Sequence, residues 1–326
     1  MRVISRVQRL SRGLACVSLG TGPKPECAQG CEFKTAQLGR LRKYGASVQI
    51  SSGGVTDVGR VRTNNEDCFR IVAPLNLFVL ADGMGGEAHG EIASALAVET
   101  VVKHCLDEEA NPAAKVLGKV EPGWSSKTKR LSTALHLANK TICKSAEEHP
   151  EQRGMGATLT AAWIDRSKLS IAHVGDSRAY LLRAGSLLQL TRDHSLVAEQ
   201  VRQGVITAAE AEQSDMQSVL LRALGAQPEI EVDAEEHVLF PRDVLMLCSD
   251  GLTRVVTEPE IAGVLQAETD PVRGAEELVG MANERGGPDN ITVVIARMLK
   301  DSNGWFLWFR RKGPKNLGNN GNAGGK

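Results

Sequence analysis

The sequence is poor in aromatics, with six Phe, four Trp and two Tyr among 326 residues, and its 39 Lys+Arg are matched by 39 Asp+Glu. No apolar run approaches the roughly 20 residues needed to cross a bilayer as a helix, which excludes a transmembrane helical protein. Cysteines stand at 16, 27, 31, 68, 105, 143 and 248, an odd and scattered set. The Cys27-x3-Cys31 pair has no second pair or nearby histidine to complete a zinc site. Cys105 and Cys143 fall in helical patterns and Cys248 in an apolar strand-like run, which suits reduced, buried thiols and a cytoplasmic setting. Hydrophobic residues at 42%, charged residues at 24% and 33 glycines describe an ordinary globular chain, so a wholly disordered or collagen-like protein is excluded.

What is present is unevenly distributed. Residues 1–50 carry nine Lys/Arg against two Asp/Glu, and residues 300–326 carry six against one, leaving 24 basic and 36 acidic residues between them. A body of that sign repels DNA and RNA, so no nucleic-acid partner is expected for it. Residues 1–54 read as a basic, disordered extension that ends in the linker Ser51-Ser52-Gly53-Gly54. An organelle presequence would share its Arg-rich, acid-poor character, whereas Gly13 to Leu19 is too short for a secretory signal. Residues 300–326 form a Gly/Asn-rich tail around Trp305-Phe306-Leu307-Trp308-Phe309-Arg310-Arg311-Lys312. Such a segment suits a membrane surface or a partner's groove, and equally suits packing back onto the domain.

Residues 55–299 read as one domain without repeats. Ala95, Val98, Val102 and Cys105, and then Leu131, Leu135, Ala138 and Ile142, recur at three- and four-residue steps and predict two amphipathic helices. Thr158 to Ile164, Leu169 to Val174, Ala179 to Leu182 (turning at Ala184-Gly185), Val244 to Cys248 and Ile291 to Ala296 predict strands. Strands joined by short turns favour antiparallel pairing over a doubly wound sheet.

The informative feature is a set of aspartates, each at an end of an apolar run and beside turn residues. Leu75 to Ala81 runs into Asp82-Gly83-Met84-Gly85-Gly86, Leu169 to Val174 into Gly175-Asp176-Ser177-Arg178, and Val244 to Ser249 into Asp250-Gly251, while Gly286-Gly287-Pro288-Asp289-Asn290 opens the last strand. One Asp-Gly is ordinarily a turn. Several carboxylates converging at a sheet edge need cations, and oxygen donors without paired His or Cys suit Mg²⁺ or Mn²⁺. Upstream, Arg62-Thr63-Asn64-Asn65-Glu66-Asp67 places an arginine four and five residues before two acids. Arginine holds a phosphate in a planar fork, and two metals with an arginine equip a site for phosphoryl transfer to water.

In order, Gly59-Arg60-Val61-Arg62 to Asp67, Asp82 to Gly86, Gly156-Ala157-Thr158, Gly175 to Arg178, Asp193-His194-Ser195, Leu221-Arg222-Ala223-Leu224-Gly225, Ser249-Asp250-Gly251-Leu252 and Gly287 to Asn290 closely resemble the motifs of the metal-dependent protein phosphatases of the protein phosphatase 2C family, in their bacterial form. The resemblance covers about 55–298. It implies an α+β fold, a four-layer α/β/β/α sandwich with two central antiparallel sheets, and a monomer is expected. It implies hydrolysis of phosphoserine and phosphothreonine in proteins by a metal-bridging water, without a phosphoenzyme, in opposition to a Ser/Thr protein kinase. Two Mn²⁺ or Mg²⁺ ions are implied, with a third in bacterial members. Carried over by position, Asp82 bridges the metals, Gly83 offers its carbonyl, Asp250 and Asp289 complete the pair, and Glu66 and Asp67 hold bound waters. Asp176 with Asp250 matches the third site, Arg62 holds the phosphate, and residues 196–225 match a variable flap. Bacterial relatives often carry His directly after the Gly-Gly of the Asp82 loop as proton donor. Here Glu87 stands there, with His89 two residues on, and either is a candidate acid.

Three rival readings remain. Cys248 to Arg254 satisfies the C-x5-R spacing of cysteine-dependent phosphatases, although Asp250 inside it would repel both thiolate and substrate. Gly83-x-Gly85-x-x-Ala88 echoes a dinucleotide-binding turn, with acids at Asp107 to Glu109. A catalytically weak, phosphoprotein-binding relative is the third.

Overall fold

The structure, a computed structural model of the chain, describes residues 37–38, 49–85, 89–110 and 116–299. The chain divides into two units, Met1–Cys31 and Glu32–Lys326, and every described residue lies in the second. Most of the basic extension, Glu87 and the aromatic tail fall outside the described residues.

Two antiparallel sheets make the centre. The first runs in the order β1 (Gln37–Leu38), β2 (Ile50–Asp57), β12 (Ile291–Met298), β11 (Val244–Cys248), β8 (Arg178–Arg183) and β9 (Ser186–Gln189). The second runs β10 (Asp233–Val238), β7 (Lys168–Val174), β6 (Leu159–Asp165), β4 (Leu77–Met84) and β3 (Asp67–Val72), with the short β5 (Gly156–Ala157) also on β4. Helices α1 (Gly90–Ala110) and α2 (Ser126–Glu148) cover the second sheet. Between β9 and β10 lie α3 (Leu196–Arg202) and α4 (Ala208–Ala211), and α5 (Asp250–Thr253) follows β11 directly. Helices α6 (Glu258–Ala267) and α7 (Pro271–Glu284) cover the first sheet.

The strand period of two separates the cores. In β4, Leu77, Val79 and Ala81 face the helical layer, while Phe78 and Leu80 enter the space between the sheets. In β11, Val244, Met246 and Cys248 face α6 and α7, while Leu245 and Leu247 turn inward. Both faces are covered, so the strands read as continuous apolar runs. Three cores between four layers make the expected α+β sandwich.

Predicted β11 matches residue for residue, and β6, β7, β8 and β12 differ only at their ends. The β8–β9 turn has positive φ at both Ala184 (51°) and Gly185 (86°), as a tight two-residue hairpin requires. Leu131, Leu135, Ala138 and Ile142 are fully buried. Helix α1 exists, but Ala93, Ala97, Val98, Val101 and Cys105 form its buried face, and Ala95 and Val102 are only half-buried. Cys143 is also half-buried.

One boundary needs correction. Ser51 to Gly54 is no linker but part of β2, paired along its length with β12. Its glycines are packing residues. A Cβ on Gly53 would meet Val272 at 2.5 Å, and one on Gly54 would meet Phe69 at 2.8 Å. Only bare backbone lets α7 and β3 approach this strand from its two faces. The described domain therefore includes Gln49 and Ile50, and its start precedes residue 55.

Candidate active site

The acids are delivered by connections at one end of the sandwich. Asp67 opens β3 and lies directly across from Asp82 in β4, so the two carboxylates share a face. Asp176 sits in the turn that carries the chain from one sheet to the other, Asp250 begins α5 at the end of β11, and Asp289 precedes β12. A cleft of about 400 Å³ opens among them, lined by Arg62, Glu66, Asp82, Gly83, Asp176, Asp250, Arg254 and Asp289 among others.

Close backbone approach fixes the loops. Asn290 donates from Nδ2 to the carbonyls of Val58 (3.0 Å) and Asn64 (2.9 Å), and its Oδ1 accepts from the Glu66 amide (2.8 Å). The Gly287 carbonyl accepts from the Arg60 and Val61 amides. One short segment thus holds Arg62 and Glu66 at the cleft. A Cβ on Gly83 would meet the Gly90 carbonyl at 2.1 Å, which excludes any other residue there. Gly175, at φ +112°, lies with its Cα against Thr158, where a Cβ would fall 2.5 Å from the threonine Cβ.

The electrostatics are unbalanced. Burial pushes Asp82 well above the usual carboxylate range, and Asp67, Asp250, Asp176 and Asp289 add repulsion. Asp176 is pushed up to about 8 by burial, then by Asp250 and Asp193. Asp67 rises to about 7 through burial even though Thr292 and Ser249 donate hydroxyls to its Oδ2 at 2.6 and 2.7 Å. Burial also raises Asp250, with Arg254 opposing, and burial raises Glu66. Two buried oxygens, Asp67 Oδ1 and Asp250 Oδ1, have no hydrogen-bond partner. Native proteins seldom tolerate such groups without an ion or water.

The sequence-derived residues divide into three groups. Arg62, Glu66, Asp82, Gly83, Asp176, Asp250 and Asp289 come together in the cleft. Asp67 lies beneath it, pinned by hydroxyls from β12 and from the β11 end. His89 is half-buried in the turn before α1 and is not among the residues lining the cleft, while Glu87 is outside the described residues. Along the sequence, Arg254 stands out only as the end of the C-x5-R spacing. The structure makes it a cleft residue, paired with Asp250 and, at 3.3 Å, with Asp289. Arg62 also holds Asp289, at 2.9 Å. Ser218 and Leu220 bring the 196–225 segment to the cleft wall. No local signal marks these two residues, because their place depends on the segment's anchoring by Leu196, Leu221 and Leu224 backbone bonds.

As the side chains stand, no three His, Cys, Asp or Glu among the described residues are arranged to hold one ion. Asp250 and Asp289 are instead drawn to Arg254 and Arg62. The donors nevertheless fit Mg²⁺ or Mn²⁺. They are hard oxygens, several of them buried carboxylates raised first by burial and then by one another's charge, which a cation would relieve, with two orphaned oxygens among them. Such ions commonly take one or two carboxylates and complete their shells with water.

The rival motifs do not survive. Cys248 is fully buried in the core under α6 and α7, absent from the cleft lining, and its thiol is pushed up to about 12, chiefly by burial. It is no thiolate nucleophile. Residues 107–109 lie inside α1 and not at the end of a second strand, so the dinucleotide fingerprint lacks its ribose-binding position.

An acid-lined cleft between the ends of two antiparallel sheets, with arginines at its wall, is chemically suited to cations together with an anionic substrate. The chain belongs to the protein phosphatase 2C family, whose model matches residues 60–283. It is 39% identical over 243 residues to the serine/threonine phosphatase stp of Listeria monocytogenes, covering 74% of this chain and 92% of that one. It is 34% identical to the protein phosphatase PhpP of Streptococcus pneumoniae, over 76% of this chain and 97% of that one. The crystal structure of the Mycobacterium tuberculosis serine/threonine phosphatase PstP/Ppp superposes with a TM-score of 0.68 at 36% identity, covering 77% of this chain and 99% of that one. The catalytic domain of PstP has also been solved in complex with two manganese ions, and matches with a TM-score of 0.66.

Proposed function

We propose that this chain is a metal-dependent serine/threonine protein phosphatase that removes phosphate from phosphoserine and phosphothreonine in proteins, reversing the work of a Ser/Thr protein kinase. The observation that carries the reading is the convergence of Asp82, Asp176, Asp250 and Asp289 in one cleft without enough positive charge to balance them. Asp82, Asp250, Asp289 and the Gly83 carbonyl would hold two Mn²⁺ or Mg²⁺ ions, with Glu66 and Asp67 ordering water around them. When bound, the ions would supply a water of lowered pKa and screen the phosphate oxygens.

The chain's own groups do the rest. Arg62, half-exposed at the cleft and paired with Asp289, would turn its planar fork to two phosphate oxygens of the substrate. Ser249 and Thr292 hold Asp67 in one orientation through Oδ2, which leaves its Oδ1 without a hydrogen-bond partner. Ser218 and Leu220 add a mixed polar and apolar wall where the peptide around the phosphorylated residue lies. Proton delivery to the leaving serine or threonine alkoxide falls to Glu87 or to His89, on the loop between β4 and α1.

The test is hydrolysis of p-nitrophenyl phosphate and of a phosphothreonine peptide by purified protein with Mn²⁺ and then EDTA, beside a Cys248→Ser variant. Mn²⁺-dependent turnover of both substrates, unchanged by Cys248→Ser, is the expected result. Binding of the phosphopeptide without turnover of either substrate in Mn²⁺ would replace this reading with a phosphoprotein-binding module.

A further inference from the structure

Arg254 is placed where the acidic cleft is most crowded. It caps the one-turn helix α5, its amide donates to the Asp250 carbonyl at 2.9 Å, and its side chain therefore returns over Asp250, four residues earlier. The guanidinium pairs with Asp250 Oδ2 and lies 3.3 Å from Asp289 Oδ2. Its side chain is only 27% exposed, so it belongs to the cleft wall. Asp176 lines the same cleft as Arg254. The other acid near Asp176 offers a cation little. Asp193 is gripped by Arg178 through Nε, at 3.0 Å to both oxygens, and through Nη2 at 2.6 Å.

We propose that the Arg254 guanidinium takes the place of a third divalent cation in this chain, so that the centre holds two ions and not three. The proposal rests on the two-ion reading above. An ion lodged between Asp176 and Asp250 would have to displace Arg254 from Asp250 or lie against its charge in a poorly screened site. Arginine cannot vacate that position by losing its proton, as a lysine can when buried. Asp250 Oδ1, buried and without a hydrogen-bond partner, stays available to the two-ion centre while Oδ2 serves Arg254. A single residue at the C-terminal cap of α5 thereby sets the ion complement that the shared aspartates alone would leave open.

The experiment counts Mn²⁺ bound to the metal-stripped full chain, by equilibrium dialysis with elemental analysis and by calorimetric titration. The wild-type chain should bind two ions. Arg254→Met, which keeps the aliphatic stem, should bind three, and Asp176→Asn added to it should return the count to two. Asp176→Asn alone should leave the wild-type count unchanged. Melting curves establish that each variant is folded. Three ions on the wild-type chain, or two on a folded Arg254→Met, overturn the role of Arg254. Fewer than two on the wild-type chain overturns the two-ion reading itself, and the proposal with it.

Discussion

Two populations of buried or half-buried acids occupy this molecule, and they are treated in opposite ways. Away from the cleft each carboxylate has its own partners. Asp233 is held down at about 2, first by its hydrogen bond with His194 and also by Arg222. Glu236 is also pulled to about 2, where bonds from Lys168, Ser125 and Thr128 outweigh the opposing effect of burial. Asp243, only 2% exposed, is gripped by Arg183 and accepts the Phe240 amide at 2.7 Å. At the cleft, Asp82, Asp176 and Asp250, with Asp67 beneath them, are all raised, and two of their oxygens have no hydrogen-bond partner. Acids that serve the fold are neutralised within it, whereas acids that serve the site are left to be neutralised by something that binds.

That contrast breaks most sharply at Asp82. Asp82→Asn should cut phosphatase turnover roughly a thousandfold or more, the scale of removing a group that organises transition-state charge. Circular dichroism should show the fold intact, and a variant that hydrolyses p-nitrophenyl phosphate normally would overturn the metal assignment.

A second break comes from pH. A raised carboxylate keeps, in the folded chain, a proton that the unfolded chain has already released. Its stabilising contribution is whole below the ordinary carboxylate range and is lost as pH rises through about 7 for Asp67 and about 8 for Asp176. Buried His173, lowered to about 4 chiefly by burial, works in the opposite sense but has given its full contribution once pH exceeds its unfolded value. In EDTA the melting temperature should therefore fall by several degrees between pH 7 and pH 8.5, at about 2–4 °C per kcal/mol for a domain of this size. Mn²⁺ should flatten that slope. A melting temperature independent of pH in EDTA would show that the cleft acids are already compensated.

Arg62→Ala sharpens the comparison from the substrate's side. It should lower kcat/KM about 10- to 100-fold, the loss of a charge-assisted, bidentate phosphate contact, with Mn²⁺ binding preserved. The smallest effect on activity belongs to the paired population. Asp243→Ala should cost about 2 kcal/mol of stability, by removing the partner of a half-exposed arginine and of the Phe240 amide, and should leave kcat/KM unchanged. A drop in activity without a drop in melting temperature would erase the distinction between the two groups of acids.

Much of the molecule could be read along the chain. The β11 run Val244 to Cys248 is apolar throughout because both its faces are covered, and its ends are marked by Asp243 and by Ser249-Asp250. The α2 stripe Leu131, Leu135, Ala138 and Ile142 follows helical spacing onto a single face. Ser51 to Gly54 misled because glycine and serine mark linkers as often as close contacts. Their meaning depends on Val272 and Phe69, both distant in sequence. The acids' positions at strand ends were legible, but their partners were not. Asp67 and Glu66 are adjacent in sequence, yet one opens β3 and lies pinned beneath the cleft by hydroxyls from distant segments, while the other stands in the preceding loop and lines the cleft.

By itself, then, the sequence determined two of the helices, five of the strands, the ordered aspartate motifs and the kind of ion that oxygen donors without His or Cys would take. Those follow from periodicity and residue chemistry, which are local. The tertiary structure decided which carboxylates face one another, that Cys248 is inert, that Arg254 reaches Asp250 and Asp289, and which acids remain uncompensated. Those depend on distance and burial, which arise only when segments far apart in the chain are packed against each other.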